Sequence, residues 1–175
     1  KGIQKWLGSV SQEIASIVHN STFISKISNN RKKVLFAVDS SDISPTVVAK
    51  ALESLDFTDK EIYLATVYDI PEYLFLEGNI DTNWILEIQK KQETAAMILL
   101  NGFEKMFNDK GLDISGKNVL SGVPADEINN YITKRGIDLV VCGIKNRKYL
   151  SRFLLSSVSK RILESANSDV LIIRP

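Results

Sequence analysis

The chain carries one histidine, His19, and one cysteine, Cys142. Mechanisms that need two histidines are therefore excluded within it, as are disulfide scaffolds and cysteine-rich zinc sites. His19 has no evident co-ligand for a metal, and its place late in a helical stretch suits an interaction with helix-end carbonyls. Cys142 sits inside an apolar run and is expected only to pack. No nucleophile–base pair can be assembled, so the chain does not read as an enzyme. What remains is anion chemistry. Lys145, Arg147, Lys148 and Arg152 crowd one loop, and Ser156, Ser157 and Ser159 follow at the start of a helical stretch. Such cations can hold phosphate through charge-assisted hydrogen bonds; the plainer reading, and the favoured one, is a solvated loop. A nucleic-acid surface would interleave aromatics with the cations, and Tyr149 stands alone here.

These residues need elements to position them. KKVLFAVD (Lys32 to Asp39), EIYLATVYD (Glu61 to Asp69), Ile114 to Leu120, IDLVVCG (Ile137 to Gly143) and DVLIIR (Asp169 to Arg174) are short apolar runs bounded by turn residues. They read as five buried strands. Helical spacing fills the intervals. TVVAKALESL begins behind Pro45, with Ser40 to Ser44 supplying N-cap hydroxyls. A long helix is expected from about Asn83 to Asn108, with an apolar stripe of Trp84, Ile88, Ala95, Ile98, Leu99, Phe103, Met106 and Phe107. GVPADEINNYITKRG and SSVSKRILESA supply two more. IPEYLFLEGNID has no clean period and reads as a loop with an apolar patch. Continuous apolar strands alternating with helices predict an α/β protein with an open, doubly wound, five-stranded parallel sheet of Rossmann-like type. Ligands of such sheets sit at the carboxyl ends of the strands. Here those ends are Asp39, Val67 to Asp69, Ser121 to Val123 and Gly143.

Composition agrees with a folded domain. The chain has 175 residues, 44% hydrophobic and 25% charged, with a net charge of +1. That balance argues against a dedicated nucleic-acid or membrane-surface protein. No apolar run approaches the roughly 20 residues that span a bilayer, so no membrane insertion is expected. One cysteine fits a reducing, cytoplasmic setting.

Together, KVLFAVDSSDIS, GVPADEINNYITKRGIDLVVCG and LLSSVSKRILESANSDVLIIRP resemble the universal stress protein domain over about residues 31 to 175. The more specific pieces are Gly122-x-Pro124 with Ile128, then Asp-Leu-Val-Val-x-Gly, then Ser-Val-Ser before the last helix. The resemblance implies an adenine nucleotide α-hydrolase-like sheet, pairing through the last strand into a homodimer or tandem pseudo-dimer, and ATP binding in some members. ATP-binding members carry Gly, two residues, Gly, nine residues, then Gly-Ser or Gly-Thr. Here those positions are Gly143, Asn146, Ser156 and Ser157, so two glycines are replaced. Asn tolerates the left-handed region, whereas Ser156 brings a Cβ to where backbone would meet phosphate. The resemblance further matches Asp39 to an acid beside the base, Val67 to a main-chain contact with adenine, and Ser157, Val158 and Ser159 to the phosphate side. Asp39 reads equally as a turn acid, Val67 as plain core, and Ser157 and Ser159 as N-caps. Weak binding of ATP or AMP is the expectation.

LGSVSQEIASIVHNSTFISK (Leu7 to Lys26) repeats the pattern of LSSVSKRILESANSDVLIIR (Leu155 to Arg174). Leu7, Ser9, Val10, Ser11, Ile14 and Ile24 fall on Leu155, Ser157, Val158, Ser159, Ile162 and Ile172, and Gly8-Ser9 stands on Ser156-Ser157. Residues 1–27 therefore resemble the final helix and strand of a preceding domain of this kind, and residues 28–175 a whole second one. Lys1 is not a Met, and earlier residues are expected in the native protein. A lone helix–strand unit must borrow a partner, and Thr22 to Lys26 is expected to pair with the Asp169 to Arg174 edge. The alternative is an unrelated N-terminal helix.

Three functions follow. The first is a binding and regulatory module. The second is an interaction domain that regulates a partner protein or transporter without nucleotide. The third is an adenylating enzyme of ATP pyrophosphatase type, suggested by DSSDIS (Asp39 to Ser44), which lacks paired glycines to wrap a pyrophosphate.

Overall fold

The computed structural model describes residues 20–26, 31–69, 82–144 and 156–174. His19, the helix expected near the start of the chain, the loop expected at IPEYLFLEGNID, Asn146 and the basic residues Lys145, Arg147, Lys148 and Arg152 lie outside them. In chain order the elements are β1 (Thr22–Ile24), β2 (Lys33–Ala37), α1 (Ser44–Ser54), β3 (Glu61–Tyr68), α2 (Thr82–Asn108), β4 (Ile114–Ser121), α3 (Pro124–Arg135), β5 (Leu139–Gly143), α4 (Ser157–Ser165) and β6 (Asp169–Ile173).

The strands form one six-stranded sheet in the order β1-β6-β5-β2-β3-β4. The five strands β2 to β6 run parallel, as their continuous apolar runs predict. From β2 the chain steps to β3 and β4 on one side, then crosses back to β5 and β6 on the other. The reversal falls between β2 and β5. The sixth strand, β1, is antiparallel to β6, with Thr22, Phe23 and Ile24 opposite Ile172, Leu171 and Val170. This is the pairing that the unpartnered Thr22 to Lys26 segment required.

Strand side chains alternate between two apolar layers. Val34, Phe36, Leu64, Val141 and Ile173 meet α1 and α2 on one face through Val47, Val48, Leu100, Phe103 and Phe107. Phe36 packs edge-on to Phe57 and Phe107, with centroids 5.3 and 4.9 Å away. Leu35, Ala65, Val140, Cys142 and Ile172 meet α3 and α4 on the other through Ile128, Ile132, Ile162 and Leu163.

Three local expectations are corrected. The buried face of α2 is Ala96, Leu100, Phe103 and Phe107. Ala95 is exposed, as are Trp84 (48%) and Ile98 (66%). A helix of 27 residues is about 40 Å long, and its deeply buried positions lie in its second half. Second, α1 starts with Pro in its first turn, as expected, but its N-cap is Ile43 with no side-chain cap. The hydroxyls of Ser41 and Ser44 bond Asp39 instead. Third, α4 is capped by Ser156, not by Ser157 or Ser159. The close of α3 is as read: Gly136 takes φ 62° and ψ 49°, a left-handed C-cap.

Candidate functional site

The carboxyl ends of β2, β3 and β5 open into a cleft of about 550 Å³ at the point where the strand order reverses. Asp39, Val67, Gly143, Ser156, Ser157, Val158 and Ser159 all line it. Thus the seven described residues that the sequence matched to a nucleotide site come to one place, whereas Tyr68, Asp69 and Ser121 to Val123, expected at the ligand side as strand ends, do not line the cleft. Asn146 lies outside the described residues.

Each wall has a local cause. β2 ends into a tight polar turn whose centre is Asp39. Its Oδ1 accepts hydrogen bonds from the Ser41 N–H (3.1 Å), the Ser44 hydroxyl (2.5 Å) and the Ser41 hydroxyl. Its own N–H donates to Ser44 Oγ at 3.2 Å. Asp39 is therefore a turn-organising acid, and it sits exposed at the cleft rim. At β3, Ala65 and Thr66 are buried and Val67 is half-buried. Val67 contributes to the apolar layer below and to the cleft above.

Gly143 closes β5. A Cβ built there would lie 2.6 Å from Val47 Cγ2, and Val47 is itself a cleft residue. Close passage of α1 over β5 thus requires glycine whether or not a ligand is present. The same absence of a side chain keeps the cleft floor open.

At α4 the N-cap Ser156 has φ −60° and ψ 154°. Its Oγ accepts the Ser159 N–H at 3.1 Å and lies 2.9 Å from Ser159 Oγ. The Ser159 hydroxyl donates to the Gly143 carbonyl at 2.9 Å and is 2% exposed within its residue. These two serines lock the helix start to the end of β5. The N–H groups of Ser157 and Val158, at the first helical positions, have no acceptor inside the helix. Both residues line the cleft, so partial positive charge from α4 faces it.

Cys142 lies beneath this wall. Burial pushes its thiol up to about 12, opposed by a hydrogen bond with Ser159. It stays protonated at neutral pH and cannot act as a thiolate nucleophile. Among the described residues no cluster of three or more His, Cys, Asp or Glu could hold a metal, and no helix is long and apolar enough to cross a membrane.

Sequence reasoning missed Thr66, Val38, Pro124 and Ile128 as cleft residues. For Val38 and Thr66 the available signal was their place at the carboxyl ends of β2 and β3. For Ile128 it was a single turn's distance from the Gly-x-Pro start of α3. The chemistry available is that of a binding cleft: apolar side chains such as Val38, Val67 and Ile128 along its lining, a polar turn at its rim, and a helix start for an anion.

The profile of the universal stress protein family matches residues 30–174. Universal stress protein MJ0531 of Methanocaldococcus jannaschii is 31% identical over 146 residues, covering 83% of this chain and 84% of that one. Among solved structures, UspA of Lactobacillus plantarum is similar with a TM-score of 0.66 at 18% identity, over 83% of this chain and 99% of that one. A universal stress protein family member of Arabidopsis thaliana, solved with AMP bound, is similar with a TM-score of 0.59 at 19% identity, over 82% and 91%.

Proposed function

The chain belongs to the universal stress protein family, and from that premise we propose that it is a cytoplasmic regulatory module that binds an adenine nucleotide, AMP or ATP, without turning it over. The observation that carries this reading is the convergence of Asp39, Val67, Gly143 and Ser156 to Ser159 on one cleft at the sheet's switch point. A volume of about 550 Å³ is ordinary for a small-molecule site. In this reading adenine lies between Val38, Val67 and Ile128, with the Val67 main chain at its edge. Asp39 stands by the ribose and base. The Ser157 and Val158 N–H groups and the Ser157 hydroxyl take the nearest phosphate. A family member with AMP bound lends support by likeness of fold.

Binding is weak in this account, because Ser156 Oγ already takes the Ser159 N–H and the Ser159 hydroxyl is spent on Gly143. The same bonds favour the second reading, an interaction domain without nucleotide. Isothermal titration with AMP and ATP, alongside native mass spectrometry of the fresh protein, separates the two. A retained nucleotide, or saturable binding, supports the module. No binding at millimolar nucleotide supports the interaction domain, and steady hydrolysis or adenylation refutes both.

Residues 1–27 belong, in this reading, to the end of a preceding domain of the same family, giving a tandem pseudo-dimer with residues 28–175. The antiparallel seat of β1 on β6 is the support for it.

A further inference from the structure

The apolar stripe that the sequence assigned to the core is present in α2, but much of it turns away from the sheet. Trp84, Lys91, Ile98 and Lys105 recur every seven residues, and Ile88, Ala95 and Gly102 interleave at the same period. At about 100° per residue this repeat centres about 130° round the helix from the buried Ala96, Leu100, Phe103 and Phe107. Lys117 Nζ holds that orientation by donating to Asn101 Oδ1 at 2.8 Å and Glu104 Oε2 at 2.5 Å. Four of the seven large hydrophobics exposed among the described residues, Trp84, Leu86, Met97 and Ile98, are on α2. Exposed apolar surface is thus concentrated on one helix, as at an association site. Gly102 is the residue that the fold leaves unexplained. It is exposed, its φ is not positive, and a Cβ built there meets nothing within 4 Å. Glycine inside a helix is less favourable than alanine. Among the described residues nothing needs a bare Cα there, whereas close approach from outside does.

We propose that this face of α2 is a self-association surface, on which α2 of a second copy lies antiparallel across a two-fold axis between Ala96 and Met97. The occupant is a second copy because the face complements itself in reverse and only in reverse. The antiparallel register sets Ala95 against the second copy's Ile98, Gly102 against the stem of its Lys91, and Ile88 against the stem of its Lys105. The two smallest residues therefore meet long ones. Glu87, beside Ile88, comes next to the second copy's Lys105 ammonium, and two-fold symmetry makes that pair twice. Neither Glu87 nor Lys105 forms an ion pair with another described residue. A parallel pair in register would stack Lys91 on Lys91 and Lys105 on Lys105, and would leave Ala95 and Gly102 facing themselves. A lipid surface fits less well, because the three acids of α2 balance its three lysines. The face lies over β3 and β4, in the half of the sheet away from β1 and β6. A helix of 27 residues is about 40 Å long and about 10 Å across, which gives about 400 Å² per copy. That is half of the about 800 Å² per copy of a standard interface, so the association is weak, with a dissociation constant on the order of 100 μM.

The test uses the full chain in sedimentation equilibrium. The mass of the native protein should double between about 10 and about 500 μM. Glu87→Lys and Lys105→Glu each set like charges at both pairs, and each should weaken association about tenfold. Mixed in equal amounts, the two variants restore opposite charges at both pairs, so association should return to within about twofold of native. Gly102→Leu, which fills the contact layer, should abolish the doubling. Gly102→Ala should raise the melting temperature of the dilute protein, since only helix propensity changes there. A native mass that stays constant to 500 μM would overturn the proposal and leave the face to a different partner. A mixture that associates no more tightly than either variant alone would overturn it too, as would a dimer that Gly102→Leu leaves intact. A lower melting temperature for Gly102→Ala would show that the fold itself needs the glycine, and would remove the argument from close approach. If Gly102→Leu fails to fold, the mixture of the two charge variants still decides.

Discussion

Gly143 is the position where packing and ligand binding make the same demand, and the two can be separated. In Gly143→Ala the new methyl would meet Val47 Cγ2 at 2.6 Å, about 1 Å inside ordinary contact of about 3.5–4.0 Å. Val47 is 4% exposed and belongs to the α1–α2 core layer, so it has little room to retreat. Overpacking of this kind costs about 1–3 kcal/mol, and we expect about 2. Val47→Ala alone deletes two buried methyls at about 0.8 kcal/mol each, and a residual cavity brings that to about 2 kcal/mol as well. In Gly143→Ala/Val47→Ala the added methyl enters the space that Val47 vacates. The double variant should then lose about 2 kcal/mol rather than about 4, a coupling of about 2 kcal/mol. Urea unfolding of the four proteins, at equal denaturant slope, measures it. Additivity within about 0.5 kcal/mol would refute the packing argument for Gly143. Titrating the double variant with AMP then asks the second question. If the coupling appears and AMP binding is still weaker than in Val47→Ala, the ligand also needs the bare Cα.

Other perturbations test the same wall. Ser156→Gly should cost only a few tenths of a kcal/mol, against about 1 kcal/mol for Ser156→Ala, because glycine is a tolerated N-cap. By releasing the Ser159 N–H it should also tighten AMP binding in calorimetry; unchanged or weaker binding would contradict the assignment of α4 to phosphate. Asp39→Ala removes the acceptor of three donors in the Ser41–Ser44 turn and should lower stability by about 1–2 kcal/mol while abolishing AMP binding. Cys142 should resist alkylation at pH 8 in the folded protein and react in urea, since a thiol raised from 9.0 to about 12 is only rarely thiolate. The folded value lies above the unfolded one, so this group's contribution is fully present below pH 9 and is lost as pH rises toward 12. A stability difference between native protein and Cys142→Ala that stays flat from pH 8 to the alkaline limit would contradict it.

Much of the architecture was written locally. Strands such as Val34 to Ala37 and Leu139 to Gly143 are apolar at every position because both faces of a parallel sheet are covered. That pattern depends on no distant partner, and neither does the left-handed stop at Gly136. The residues at strand ends were legible for the same reason: a parallel sheet delivers its carboxyl ends to one side, so Asp39, Val67 and Gly143 had to come near each other. The unmet apolar residues of the β1 segment likewise demanded an edge.

Tertiary structure decided the rest, because it rests on pairs far apart in sequence. Which face of α2 is buried depends on where the helix crosses the sheet, and the apolar positions alone suggested a stripe that includes the exposed Ala95 and Ile98. Gly143 needs no side chain because Val47 stands over it. Ser156 rather than Ser157 caps α4, since only the residue that stays extended can turn its hydroxyl back to the Ser159 N–H. Asp169 carries no sign in the sequence of being the acceptor that anchors the chain beside β1. Its carboxylate gains that role only when folding buries it and brings Lys26 and Arg31 to it from 143 and 138 residues away, where a buried charge must find partners.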